Sequence, residues 1–378
     1  MVSDPARDLT TPERLGDWIV IREGRPGRWG GELRRRRIFE RLAIRTHARI
    51  IEDGWYPRLL RKAARGALGN LPGPLLYPLP RRGAKPRFAA SEKLRGGLLE
   101  AARRLTDPTA VAIYDDPAAQ ARAVGVTVDP AWAAELARRQ TDTISTFRWL
   151  VAPTASFADL AGLERDRVIV GGNGTDTDRI RPGPWPEVPV VGVVSAAAPG
   201  RGIETLVDVA RLARRQVPDL RVRMWLVSMS EDTEAYLAGL RRRVADEPWI
   251  EIGTAPYDGL SAALAAVTVL TILWPPHEYY DVALPVKLFD GAAAGRPQLV
   301  TPRTETAAVV RREGIGVVTS GDEPEAIAAD LVTLLQDRAT MEALGARARQ
   351  VAETTFDWRV VGERIADEVL RREGLGAA

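Results

Sequence analysis

Apolar residues in this chain gather in short runs, and between them lie longer amphipathic stretches with helical spacing. In the first half, the runs at residues 18–22, 48–52, 111–114 and 149–152 predict buried strands. A helix is expected over 32–45, where Leu33, Ile38, Leu42 and Ile44 alternate with arginines, and a longer one over 130–147. From residue 188 the alternation becomes regular. Strands are expected at 188–194, 221–227, 250–252, 267–274, 298–300 and 316–319. Helices are expected between them at 203–216, 231–246, 257–266, 285–294, 304–312 and 324–336. Strands alternating with helices predict an α/β fold with parallel, doubly wound sheets.

The pattern breaks once. Residues 167–182 close the first half, and the proline-rich stretch 183–187 reads as a linker. Two Rossmann-like domains follow, 1–182 and 188–355, with a final segment 356–378. A length of 378 residues suits two cores rather than one. Two such domains on a short linker leave a deep cleft, a favoured place for ligands.

Three places carry candidate chemistry. Residues 284–297 follow the strand 267–274 and a loop at 275–283, with Pro285 where a helix should begin. Proline suits the first helical position because its missing N–H would go unpaired there anyway. A helix N-terminus with Lys287 in its first turn offers an anion free N–H groups and a favourable dipole. The same residues also fit an ordinary crossover, with alanines for close packing. Gly30 and Gly31, after the first strand, either bring backbone close to a ligand or form a plain turn. Asp115 and Asp116, at the carboxyl end of a strand, either receive a substrate hydroxyl or cap the next helix.

Composition narrows the choices. There is no cysteine, which excludes disulfides, thiol catalysis and cysteine zinc sites. Two histidines, His47 and His277, leave no multi-histidine metal cluster, so no metal is expected. The polar N-terminus and the lack of an apolar run long enough to span a bilayer point to a cytoplasmic protein. Net charge is +3, yet residues 54–104 hold twelve Arg or Lys against Glu92 and Glu100. Within them, 55–68 reads as a basic amphipathic helix, either lying on an anionic membrane or presenting a solvated face. A nucleic-acid role fits poorly, because the basic excess is local and lacks an aromatic-rich binding motif.

Four stretches then carry a resemblance. Asn173-Gly174-Thr175-Asp176 with Ile180-Arg181-Pro182, the turn 199–204 containing Gly200-Arg201-Gly202, the stretch 250–260 and the segment 284–297 are similar to motifs of GT-B glycosyltransferases. The family they resemble is the large retaining family 4. In register they cover 167 to about 358, half the chain, whereas the first domain matches in pattern only. The resemblance implies a GT-B fold whose C-terminal helix returns to the first domain. It also implies transfer of a sugar from a nucleotide-sugar donor to a hydroxyl acceptor, without a metal or other cofactor. By position, Arg201 and Lys287 would neutralise the donor pyrophosphate, and the N–H groups after Pro285, those of Val286 and Lys287, would hold its distal phosphate. Backbone at Gly253 and Thr254 would meet the base, and Asp290 the ribose hydroxyls. Asp115 and Asp116 stand roughly where many members place a histidine near the reacting sugar.

The sequence departs from the family at two further points. Of the family's two glutamates, the second becomes Asp290 and the first falls on Val282, with Glu278 and Asp281 as nearby substitutes. Ser195 stands where an arginine is common. A catalytically silent relative acting as a binding subunit is therefore the second expectation. A sugar-nucleotide epimerase, which would want histidine near the sugar, comes third.

Overall fold

A computed structural model of the chain describes residues 18–23, 34, 36–53, 85–91, 96–125, 129–227, 231–255 and 257–375. Among these residues, two six-stranded sheets form. The first contains β1 (Trp18–Glu23), β2 (Arg49–Asp53), β3 (Arg87–Ser91), β4 (Asp107–Ala112), β5 (Trp149–Ala152) and β6 (Val168–Val170), in the order β2-β1-β3-β4-β5-β6. The second contains β7 (Val190–Ala196), β8 (Arg221–Val227), β9 (Ile250–Gly253), β10 (Val269–Ile272), β11 (Gln298–Val300) and β12 (Gly316–Val318), in the order β12-β11-β10-β7-β8-β9. Every pairing is parallel. Parallel strands covered on both faces read as continuous apolar runs, and β10 and β11 are buried along their whole length. The strand order reverses between β1 and β3 in one sheet and between β7 and β10 in the other. Ligands of such sheets bind beyond the carboxyl ends of the strands at these reversals.

Several elements differ from expectation. β3 and β6 were not foreseen: the first follows a proline- and glycine-rich stretch, and the second is three residues long. β4 runs Asp107–Ala112, so it begins earlier than the expected strand 111–114, and Ile113 and Tyr114 lie beyond its end. The stretch 275–283 is not all loop, because Glu278–Val282 forms a helical turn capped by His277, whose Nδ1 accepts from the Tyr279 N–H at 3.1 Å. Pro285 is the cap residue rather than the first helical one, and the helix runs Val286–Ala293. Of the apolar positions in the expected helix 32–45, Ile44 is 54% exposed, while Leu42 is buried. The expected helix at 55–68, most of the basic stretch 54–104, and Gly30 and Gly31 lie outside the described residues.

The two sheets are joined by more than the linker. Thr175 N–H donates to the Phe356 carbonyl and the Trp358 N–H donates back to the Thr175 carbonyl, each at 2.9 Å. Gly174 makes this approach possible, since a Cβ there would lie 2.7 Å from the Phe356 oxygen. The chain then turns through Ala352–Phe356 into the C-terminal helix, Trp358–Arg372, capped by the buried Asp357. That helix packs against the first-domain helix Glu40–Arg45, and Arg45 pairs with Asp367. Its end is pinned by the buried Glu373 carboxylate, which accepts from Arg87 at 3.0 Å, Arg148 at 2.6 Å and Trp149 at 2.8 Å. Burial alone would raise that carboxyl's pKa; the hydrogen bonds from Arg148, Trp149 and Arg87 outweigh it and hold it low.

The linker is clamped from beneath. Arg296 is 1% exposed, and one guanidinium nitrogen lies 2.9, 2.8 and 2.7 Å from the carbonyls of Gly183, Pro184 and Ala265. Its guanidinium also sits 4.5 Å from the centroid of the Trp185 ring. Burial, with Arg338 nearby, pushes its pKa down to about 10. Replacing Arg296 by Leu leaves three part-buried carbonyls without their donor. We expect a loss of about 3 kcal/mol, read as a lower urea midpoint with unchanged slope.

Candidate functional site

Between the carboxyl ends of the two sheets lies a cavity of about 400 Å³. From the second domain it takes the end of β7 (Val194, Ser195, Ala196), Arg201, Trp274, Tyr279 and the stretch 283–287. From the first domain it takes Arg34, Tyr114, Asp115, Gln120, Pro153, Phe157 and Asn173. The order reversal β7/β10 thus opens directly into it.

Local structure explains how Arg201 arrives there. Gly202 has φ +75 and caps the helix Ile203–Arg214, and a Cβ on it would lie 2.0 Å from the Leu273 carbonyl oxygen. Only glycine fits a left-handed residue pressed against another backbone. The turn is therefore held against the end of the β10 segment, with Arg201 facing the cavity. The Arg201 Nε is buried and has no hydrogen-bond partner, and the residue forms no ion pair with any described residue.

Lys287 lines the same cavity. Asn173 Nδ2 donates to the Leu284 carbonyl at 3.0 Å and Thr154 Oγ1 to the Val282 carbonyl at 3.0 Å, so the first domain fixes the approach to the helix. The first N–H groups of this helix, at Val286 and Lys287, have no acceptor within it. The Lys287 ammonium stands 5.5 Å from the Trp274 ring centroid, with no carboxylate partner among the described residues. Burial, and then the charge of Arg201, push its pKa down to about 7. Two cations and a helix N-terminus without a counter-charge make a cavity that lacks an anion.

On the first-domain wall the cavity-lining carboxylate has a cationic partner. Asp115 pairs with Arg34 at 3.0 Å, and the Arg34 guanidinium lies 4.9 Å from the Tyr114 ring centroid. Asp116 points elsewhere: its carboxylate accepts from the Ala119 N–H at 2.9 Å and caps the helix Pro117–Ala123. Of the two aspartates, one faces the cavity and the other caps.

Other expected residues lie outside the lining. Asp290 is buried one helical turn behind Lys287, where it accepts from Thr175 Oγ1 at 2.8 Å. Burial pushes its pKa up to about 7, against the opposing hydrogen bond from Thr175. Glu278 is exposed, Asp281 turns toward the Thr304 N–H at 3.4 Å, and neither they nor Val282 line the cavity. Gly253 and Thr254 are exposed at the end of β9, two strands from Ser195 along the same sheet edge. His277 is occupied as a helix cap. Conversely, Arg34, Tyr114, Gln120, Trp274 and Tyr279 line the cavity without having been foreseen. The aromatics at 274 and 279 carried a signal in the run Trp274-Pro-Pro-His-Glu-Tyr-Tyr280. Arg34, one of four consecutive arginines, carried none.

Comparison with known proteins bears on the family and the fold. Residues 188–337 match the family described as "Glycosyl transferases group 1". No curated protein matches the chain in sequence. Among solved structures, sucrose-phosphate synthase from Thermosynechococcus elongatus superposes with a TM-score of 0.67 at 14% identity, over 95% of this chain and 99% of that one. HepE from Anabaena in complex with UDP gives 0.64 at 16% identity, over 94% and 100%. WaaG, a glycosyltransferase involved in lipopolysaccharide biosynthesis, gives 0.61 at 15% identity, over 93% and 99%. The fold is GT-B: two Rossmann-like domains facing across a cleft, with a C-terminal helix returning to the first.

The geometry predicts an unusually reactive lysine. Amine-selective labelling of Lys287, followed by peptide mass spectrometry, should show a pH midpoint near 7. Arg201→Ala should raise that midpoint, because a like charge is removed. An unchanged midpoint would reject the pairing of the two cations.

Proposed function

We propose that this chain is a retaining glycosyltransferase of family 4, which moves a sugar from a nucleoside-diphosphate sugar to a hydroxyl acceptor. The observation that carries the reading is the pair Arg201 and Lys287, without counter-charge, at a helix N-terminus inside the interdomain cavity. Both line the same cavity as Val286, at the start of the lysine-bearing helix, and such a grouping suits a pyrophosphate. The match of residues 188–337 and the structural likeness to a protein bound to UDP, and in a further structure to UDP-glucose, support the same donor class.

In this reading the bond from the anomeric carbon to the distal phosphate breaks as the acceptor oxygen bonds to that carbon on the same face. The acceptor proton passes to the departing phosphate. Arg201 and Lys287 stabilise the charge that builds on the leaving group, an electrostatic role in which one lost donor typically costs about 10²–10³-fold in rate. Asp115, oriented by Arg34, accepts a hydrogen bond from the acceptor hydroxyl; Asp116 fixes the helix below it. The nucleoside extends past Ser195 toward the backbone of Gly253 and Thr254. The pair of cations fills the role a metal plays elsewhere, so the proposed reaction is metal-independent; no group of three or more His, Asp or Glu side chains able to hold a metal occurs among the described residues. No described helix is long and apolar enough to cross a membrane. The proposed setting is the cytoplasm, and the charge of the stretch 54–104 supports a proposed contact with an anionic membrane surface.

A silent, donor-binding relative is the second reading. It is favoured by the acidic motif itself, where Val282 replaces a glutamate, neither Glu278 nor Asp281 lines the cavity, and Asp290 is tied to Thr175.

Calorimetry against UDP, GDP, ADP and their sugars tests both readings. One nucleotide class should bind, and Arg201→Ala should weaken it about 30-fold, the worth of about 2 kcal/mol for a lost charged hydrogen bond. Binding by none would sink the transferase. Tight binding without donor hydrolysis or transfer would favour the silent relative. The pH dependence has a definite sign. Lys287 is charged below about 7 and neutral above it, so donor affinity should fall as pH rises through 7. Lys287→Arg should flatten that profile.

A further inference from the structure

Arg201 and Lys287 sit on different elements, and one aromatic pair connects them. The Tyr280 hydroxyl donates to the Gly200 carbonyl at 2.8 Å, immediately before Arg201. Its ring stacks on Trp274 with centroids 4.5 Å apart and planes 20° from parallel. The other end of that chain is Lys287, whose ammonium lies 5.5 Å from the Trp274 ring. Tyr280 is fully buried, and its hydroxyl pKa is raised by burial, so it stays protonated and a donor at neutral pH. The first domain touches the same point: the Ala123 carbonyl lies 3.5 Å from the Tyr280 hydroxyl, and a Cβ on Gly200 would meet it at 2.7 Å. Ala123 ends the helix that Asp116 caps.

The Arg201 guanidinium has no ion pair of its own to fix it. Its position therefore rests on the turn that carries it, and that turn is anchored by Gly202 against Leu273 and by Gly200 against Tyr280. We propose that Tyr280 is a positioning residue for the donor pyrophosphate: through its hydroxyl and its stack on Trp274 it sets Arg201 in register with Lys287. This rests on the donor site proposed above and names a residue that touches no substrate.

A double-mutant cycle on UDP-glucose binding, by calorimetry on the full chain, tests it. Tyr280→Phe keeps the stack and removes the donor. Binding should weaken about 5-fold in the unsubstituted background, and the same change should have no effect once Arg201→Ala is present. An equal loss in both backgrounds would overturn the proposal, as would no loss in either. A purely structural role would lower the melting temperature and leave the cycle additive. Should the unsubstituted protein bind neither UDP-glucose nor any other nucleotide sugar, the proposed function fails separately. The positioning is then read without ligand, from the rate at which phenylglyoxal modifies Arg201, followed by peptide mass spectrometry. That rate should change several-fold in Tyr280→Phe; an unchanged rate would overturn the proposal.

Discussion

Thr175 exchanges two backbone hydrogen bonds with the turn from Phe356 to Trp358, and the joining of the two sheets is organised around that exchange. Backbone donors and acceptors buried between domains must find partners, and this exchange satisfies two such pairs at the point where chains from both domains meet. The neighbours of Thr175 extend the hub outward. Asn173 holds the Leu284 carbonyl, and the Thr175 side chain holds Asp290 on the lysine-bearing helix. Thr177 holds Asp357, which caps the returning helix, and Asp176 accepts from Arg37 in the first domain at 3.3 Å. A single tetrapeptide and its continuation thus join the first sheet, the lysine helix and the C-terminal helix.

One apolar cluster follows the same route. It runs from Ile38 and Leu42 in the first domain through Val361 and Ile365 of the C-terminal helix to Leu288 and Phe289 of the lysine helix. The faces remote from the interface have clusters of their own, one in each domain. Substitutions in the shared cluster therefore bear on domain arrangement as well as on stability.

The second sheet was largely legible because its strands are buried runs between well-separated helices. β8 and β11 match their expected bounds. The first sheet was less so. β3 emerges from a stretch whose prolines and glycines mask the onset of a strand, and β6 is held by pairing with β5 rather than by its own pattern. The site divides similarly. Arg201 and Lys287 were visible because each sits at a marked local device, a glycine turn and a helix start. The fate of Asp290 was not visible, since nothing local says that Thr175, 115 positions away, takes its carboxylate. The same holds for Arg34 and Asp115, 81 positions apart, where a helical residue meets the segment beyond the end of β4.

Leaving Arg201 and Lys287 without a counter-charge has a consequence for how this chain tolerates change. Like charges in a partly dry cavity disfavour the empty folded state, so a neighbouring carboxylate would relieve that frustration and stabilise the protein. Ser195, small and at the cavity wall, is a position where a single acidic replacement would bring such relief. The same carboxylate would stand where an incoming anion must sit. Selection for stability and selection for anion binding therefore pull this wall in opposite directions, and the bare pair of cations records which of them has prevailed.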